Sequence, residues 1–188
     1  GEGEIRVPEY KLEKSDVDGE VSRLRRAINA TRRDLENLIS VLRERTGKSN
    51  VGVFEGHLMI MEDEVFAGEM EAGITLNLFN AEASVRKIMD GARNRFQQMN
   101  DPYFRERARD FDDLERRLLG HLTGTKTTLH FELKSPAIIV ADDLTPSETV
   151  LFPRELVLGF ATNGGSTTSH VSLLARALAI PSVCALGD

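Results

Sequence analysis

Leu156 to Gly187 reads LVLGFATNGGSTTSHVSLLARALAIPSVCALG. Its first residues, Leu156-Val157-Leu158-Gly159-Phe160-Ala161, form a brief apolar run bounded by turn residues, the signature of a buried strand. Asn163-Gly164-Gly165-Ser166 is a loop signal. Ser169 then serves as N-cap of a helix in which Val171, Leu174, Ala175 and Leu178 recur at three- and four-residue spacing. Ile180-Pro181 ends that helix, and Ser182-Val183-Cys184-Ala185 reads as a second strand. Strand, glycine loop, helix and strand make a βαβ crossover.

Such a unit leaves its loop at the carboxyl end of the first strand, where free amides and the positive end of the helix dipole face outward. His170 falls at that spot. The dipole disfavours imidazolium and favours a neutral, nucleophilic ring. Once a ring nitrogen carries a phosphoryl group, the same dipole stabilises the new anion by roughly 0.3–1 kcal/mol. The position therefore suits a histidine that accepts phosphate and holds it. Gly164 and Gly165 read either as ordinary turn glycines or as residues that let the backbone approach a phosphate.

The chain has 188 residues and 40% hydrophobic composition, enough for one large domain or two small ones. No apolar run reaches membrane-spanning length, so no membrane insertion is expected. No secretory signal precedes the first charges, and the single Cys184 excludes an internal disulfide, which together fit a reducing cytoplasm. A net charge of −6 argues against nucleic acid as partner. The acidity is concentrated: Ser49 to Val85 contains no Lys or Arg but holds Glu55, Glu62, Asp63, Glu64, Glu69, Glu71 and Glu82, a surface that would attract a basic partner.

Ile5-Arg6-Val7 reads as an edge strand. Helical signals begin at Ser15, with Asp18 placed as in a capping box, and Val21, Leu24, Ile28, Thr31, Leu35, Leu38 and Leu42 make a narrow apolar seam. A second helix is expected from Val51 to Met70, bent near Gly68, with Phe54, Leu58, Met61 and Val65 turned inward. On that wheel Met59, Asp63 and Phe66 fall on the opposite side, where two large apolar side chains flanking a carboxylate mark a docking surface. Val85, Ile88, Ala92 and Phe96 define a third helix over Ala81–Met99. A fourth opens at Asp101-Pro102 and runs through Phe104, Ala108, Phe111, Leu114, Leu118 and Leu122. After Thr125 the pattern turns β-tending, with Leu129-His130-Phe131 and the strand Ala137-Ile138-Ile139-Val140-Ala141 leading into Asp142-Asp143. His57 with Asp63 and Glu64 fits no standard ligand spacing, so no metal site is expected.

The segment Thr162 to Ala185, with Thr168-Ser169-His170 and Ala175-Arg176, resembles the active-site segment of Enzyme I of the bacterial phosphoenolpyruvate-dependent phosphotransferase system. Asp142-Asp143-Leu144-Thr145-Pro146-Ser147-Glu148-Thr149, Phe54-Glu55-Gly56-His57-Leu58-Met59 and Asp101-Pro102-Tyr103-Phe104-Arg105-Glu106-Arg107 also look like motifs of that family, in the same order.

The resemblance implies an α/β plus all-α architecture: a swivelling β/α phosphohistidine subdomain carrying an inserted four-helix bundle. Its divisions would be an edge strand and connector over 1–14, the bundle over 15–124 and the phosphohistidine subdomain over 125–188. It further implies that His170 is phosphorylated, with Thr149, Thr168 and Ser169 in the catalytic constellation and Gly164 and Gly165 at the phosphate. The phosphocarrier protein HPr would be the partner, contacted by Met59, Asp63, Glu64, Phe66 and Arg107. Phosphoenolpyruvate and magnesium would bind a barrel not included here, so this portion needs no cofactor of its own. It is expected to be a monomer, and the full-length protein a homodimer. Most members read Gly-Gly-Arg-Thr-Ser-His, whereas Ser166 and Thr167 stand here at the second glycine and the arginine. That departure keeps a nitrogen-regulatory paralogue with its own carrier in view, alongside the sugar-uptake branch and the swivelling domain of a dikinase-type enzyme.

Overall fold

A computed structural model describes residues 7–46, 51–101, 105, 107, 108, 110–125, 133–167 and 169–185. They fall into two compact units. One draws on residues within 37–55 and 128–188, the other on residues within 3–36 and 56–127. Ile5 and Arg6, Thr168, Pro102 to Phe104 and the Leu129–Phe131 run lie outside the described residues.

The helical unit begins with α1 (Val17–Thr46), whose first two-thirds belong to it. The apolar seam is realised: Leu24, Ile28, Thr31 and Leu35 are buried there. Each fully buried Leu contributes about 1.5–3 kcal/mol of transfer free energy. The start differs from the expected capping box. A 3-10 turn over Lys14–Asp16 precedes α1, and the Ser15 hydroxyl meets the Asp16 carboxylate at 3.4 Å.

The single helix expected over Val51–Met70 is two helices, α2 (Gly52–Glu62) and α3 (Glu64–Thr75). They are broken at Asp63, not bent at Gly68, which lies inside α3. Asp63 has extended backbone angles and its Oδ1 accepts from the amides of Val65 at 2.7 Å and Phe66 at 3.1 Å. That cap starts a new helix and resets its phase. Val65, expected inside, is therefore 72% exposed, while Met61, Met70 and Ile74 are buried.

Helix α4 (Ala81–Gln97) buries Val85, Met89 and Ala92, and α5 (Asp110–Thr123) buries Phe111, Leu114, Leu118 and Leu122. Phe96 and Phe111 meet edge to face, with ring centroids 5.1 Å apart. A polar network locks α4 to α1. Glu20 Oε1 accepts from the Ala81 amide at 2.6 Å, and Arg23 pairs with both Glu20 and Glu82 while donating to the Leu122 carbonyl at 2.9 Å. Buried charges of this kind persist because every partner is hydrogen-bonded.

In the α/β unit, β1 (Ala137–Ala141), β2 (Val157–Thr162) and β3 (Ser182–Val183) form a parallel sheet in the order β1-β2-β3. Ile139 lies beside Phe160 and Val140 beside Ala161. The connections are α6 (Pro146–Leu151) and α7 (His170–Ala177), which pack on each other. The buried Phe152, just after α6, meets Phe160 at 6.0 Å between ring centroids. This unit also takes Leu38, Ile39 and Leu42 of α1 and Val53 and Phe54 of α2 into its buried set. β3 is shorter than the four residues expected, because only Ser182 and Val183 pair with β2.

Candidate functional site

The carboxyl ends of β1 and β2 are tied together. The Asn163 amide donates to the Ala141 carbonyl at 3.3 Å, the Gly164 amide to the Asp142 carbonyl at 2.7 Å, and the Asn163 side chain to Asp142 Oδ1 at 3.0 Å. A Cβ on Gly164 would stand 3.2 Å from the Asp142 carbonyl and 3.3 Å from the Asp143 carboxyl carbon, so a side chain there would push these groups back by a few tenths of an ångström. Gly165 has φ +93°, a conformation that side-chain-bearing residues rarely adopt. Both glycines thus have a local structural reason to be there, and the Gly164 amide is committed to the Asp142 carbonyl.

Ser169 caps α7 as expected. Its backbone is extended, and its Oγ accepts the Ser172 amide at 3.2 Å. Sequence reasoning missed the rest of this arrangement. Ser172 donates its own hydroxyl to the Ser166 carbonyl at 2.7 Å, and the Ser169 amide donates to the same carbonyl at 3.1 Å. The Ser172 hydroxyl also lies 3.5 Å from Cys184 Sγ. The signal was present in the Ser-x-x-Ser spacing of N-cap and third helical position. At the other end, the Leu178 carbonyl accepts from Arg154.

His170 is the first residue of α7, half-buried, directly after the capped Ser169. Thr149 is wholly buried on α6, the helix packed against α7. Its hydroxyl donates to the Thr145 carbonyl at 3.0 Å, which commits its proton within its own helix and leaves its lone pairs to accept. Helix α6 is itself held by a capping box between Thr145 and Glu148, with Pro146 at its first position. Thr168 lies outside the described residues.

The residues expected at the docking surface belong to the helical unit. Met59, in the last turn of α2, is 72% exposed. Asp63 and Glu64 are exposed, whereas Phe66 and Arg107 are half-buried. Asp63 combines exposure with the capping of α3, and Val65 joins Met59 as a second exposed apolar side chain at the α2–α3 corner. His57 does not belong to this surface. It is only 2% exposed, with its ring nitrogens 3.8 Å from Asp110 and 3.9 Å from Asp113. No group of three potential metal ligands occurs among the described residues. Nor is any helix among them long and apolar enough to cross a membrane.

The chain thus joins a histidine that opens a helix after a parallel strand to a unit made of helices. The chain belongs to the PEP-utilising enzymes: the model of their N-terminal domain matches residues 2–107, and that of their mobile domain matches residues 133–188. Within that family it is similar to proteins named phosphoenolpyruvate-protein phosphotransferase. That of Listeria monocytogenes is 34% identical over 173 residues, covering 92% of this chain and 30% of the relative. That of Bacillus subtilis strain 168 is 34% identical over 182 residues, covering 95% and 32%. The chain thus spans about a third of the length of these curated relatives.

Among solved structures, a solution structure of Enzyme I superimposes with a TM-score of 0.76 at 32% identity, covering 99% of this chain and 75% of that one. The N-terminal domain of Enzyme 1 - Nitrogen superimposes with a TM-score of 0.69 at 23% identity, covering 95% and 72%, and shares the fold. These neighbours agree with the expected combination of a helical bundle and an α/β subdomain.

Proposed function

We propose that this chain is the phosphohistidine and carrier-docking portion of a phosphoenolpyruvate-protein phosphotransferase, acting in the cytoplasm in sugar uptake. The observation that carries the proposal is His170 at the opening of α7, immediately after the hydroxyl cap of Ser169. A neutral ring nitrogen attacks the phosphorus of phosphoenolpyruvate, a phosphorus–nitrogen bond forms, and the phosphorus–oxygen bond to enolpyruvate breaks. The other ring nitrogen keeps its proton, which the Thr149 hydroxyl is able to accept as a hydrogen bond once the two helices bring them together. Gly164, Gly165, Thr168 and Ser169 shape the loop around the phosphoryl group, and the start of α7 offsets the oxyanion charge. A histidine of the carrier then attacks the same phosphorus and restores free His170.

The α2–α3 corner is the proposed carrier surface. Met59 and Val65 supply apolar contact, Glu62, Asp63 and Glu64 supply the negative field, and the half-buried Phe66 and Arg107 are assigned to the same surface. A basic patch on an HPr-type carrier would be steered there. Phosphoenolpyruvate and its magnesium would be held by a part of the full-length protein outside this sequence, where homodimerisation is also placed. The alternative is a nitrogen-regulatory paralogue with its own HPr-like carrier, a branch represented among the structural neighbours.

The test mixes this chain with phosphorylated HPr and, separately, with a phosphorylated nitrogen-branch carrier. Acid-labile phosphate on His170, located by mass spectrometry, is expected with HPr. Transfer from the nitrogen carrier alone would reassign the branch. An unmodified His170 with both would end the proposal. His170→Ala should abolish transfer and leave carrier binding unchanged.

A further inference from the structure

A second feature of the helical unit lies apart in sequence from the residues assigned above to transfer and docking. The extended segment before α1 is strapped onto the α3–α4 connection: Lys11 and Phe79 form an antiparallel bridge, and the Leu12 amide donates to the Leu78 carbonyl at 2.8 Å. The buried Asn80 fastens the same strap, donating to the Pro8 carbonyl at 2.7 Å and accepting from the Tyr10 amide at 3.2 Å. Leu78, immediately before Phe79, holds φ 56°, a left-handed conformation that is costly for a branched side chain. The fold tolerates that cost where it presents Phe79.

Between strap and α4 lies a groove of about 460 Å³, lined by Tyr10 and Lys11 from the strap, by Phe79, and by Ala83, Arg86 and Lys87 along one stripe of α4. Its size is that of small-molecule sites. Lys11 Nζ stands 4.1 Å and Lys87 Nζ 5.0 Å from the Phe79 ring centroid. Lys11 also donates to the Asn77 carbonyl at 2.6 Å, but neither lysine forms an ion pair among the described residues. Arg86, in the same groove, is by contrast paired with Glu9 at 3.5 Å and Glu115 at 3.6 Å. Two ammonium groups thus stand near one ring, neither of them ion-paired among the described residues, in a groove that Glu9 and Asp90 also line.

An exposed cation–π contact is a weak restraint, so both ammonium groups can turn to a ligand. A phosphate accepts charge-assisted hydrogen bonds from such ammonium groups. Lysines drawn to a phosphate leave the Phe79 face free for a planar ring, with Tyr10, 52% exposed, as a second aromatic neighbour. Glu9 and Asp90, which also line the groove, accept from hydroxyl or amino hydrogens. We propose that this groove binds a mononucleotide, with its phosphate between Lys11 and Lys87, its base on Phe79 and Tyr10, and its sugar hydroxyls or exocyclic amine toward Glu9 and Asp90.

The test titrates the 15N-labelled chain with AMP, GMP, CMP and UMP, and in parallel with adenosine and inorganic phosphate at matched ionic strength. At least one mononucleotide should give saturable amide shifts at Tyr10, Lys11, Phe79 and Lys87. Inorganic phosphate and adenosine should each bind at least ten-fold more weakly. Lys87→Gln, an exposed change, should weaken nucleotide binding by ten-fold or more with thermal unfolding unchanged. Phe79→Leu should weaken the nucleotide without altering the response to inorganic phosphate. Absence of saturable shifts with all four nucleotides at millimolar concentration, an equal response to inorganic phosphate, or unchanged binding by Lys87→Gln would each overturn the proposal.

Discussion

Ser172 holds the Ser166 carbonyl at 2.7 Å through its hydroxyl, and so fixes the turn that leads into His170 from inside the helix that His170 opens. The same side chain approaches Ser169 Oγ at 3.1 Å, so cap and loop share one hydroxyl cluster. Ser172→Ala removes one donor to that carbonyl. A loss of about 1 kcal/mol in unfolding free energy is expected, read as a lower urea midpoint. Phosphorylation of His170 by a phosphorylated carrier should slow as well, since the turn that seats the ring loosens. Unaltered transfer in Ser172→Ala would show that the cluster serves stability only.

Asp63 holds two tasks that substitution separates. Asp63→Ala removes the cap of α3 and should cost about 0.5–2 kcal/mol, seen in chemical denaturation. Asp63→Asn keeps an acceptor oxygen and should unfold within a few tenths of a kcal/mol of the parent. It nevertheless loses a negative charge from the proposed docking corner, so carrier association should slow, and its salt dependence weaken, in stopped-flow measurements. If Asp63→Asn associates like the parent at low salt, the carboxylate acts only as a cap.

Gly165 holds φ +93° in the loop before His170. Gly165→Ala is expected to destabilise by about 1–3 kcal/mol, because a Cβ makes that conformation costly. The relevant readout beyond the melting temperature is the yield of phosphohistidine, which should fall further than stability alone accounts for.

Two glutamates give the helical unit opposing responses to pH. Burial resists ionisation of Glu20, but hydrogen bonds from Arg23 and the Ala81 amide, with the Arg23 charge, outweigh it and hold the carboxyl below 4.5. Its stabilisation is present above the unfolded value and is lost as pH falls through the lower folded value. Burial raises the Glu115 carboxyl above 4.5, only partly offset by Arg93. Its stabilisation is present below the unfolded value and is lost as pH rises through the folded one. In urea titrations between about pH 3 and 7, Glu20→Gln should flatten the acid limb, and Glu115→Gln should remove the decline toward neutrality. A parent-like acid limb in Glu20→Gln would refute the assignment.

Elements whose signals are local were legible in the sequence. The α1 seam, the β1 and β2 strands and the Ser169 cap follow from periodicity and turn chemistry within a few residues. What was not legible depends on competition or on distant chain. The wheel drawn across Val51–Met70 carried one phase through Asp63, yet that carboxylate prefers the Val65 and Phe66 amides and starts a second helix. Val65 was misplaced for that reason alone. His57 is inside because α5 brings Asp110 and Asp113 to it, which nothing near residue 57 announces. Thr149 was picked out through a family motif, and its hydroxyl turned out to bond the Thr145 carbonyl, a choice that only coordinates reveal.

Helices α1 and α2 are each divided between the two units, the chain passing from one to the other at 36/37, 55/56 and 127/128. Neither unit is therefore a continuous length of polypeptide that a single cut could release. A protease nick after Glu36 would sever a helix that both hydrophobic interiors depend on. A single crossover point likewise cannot exchange either unit whole.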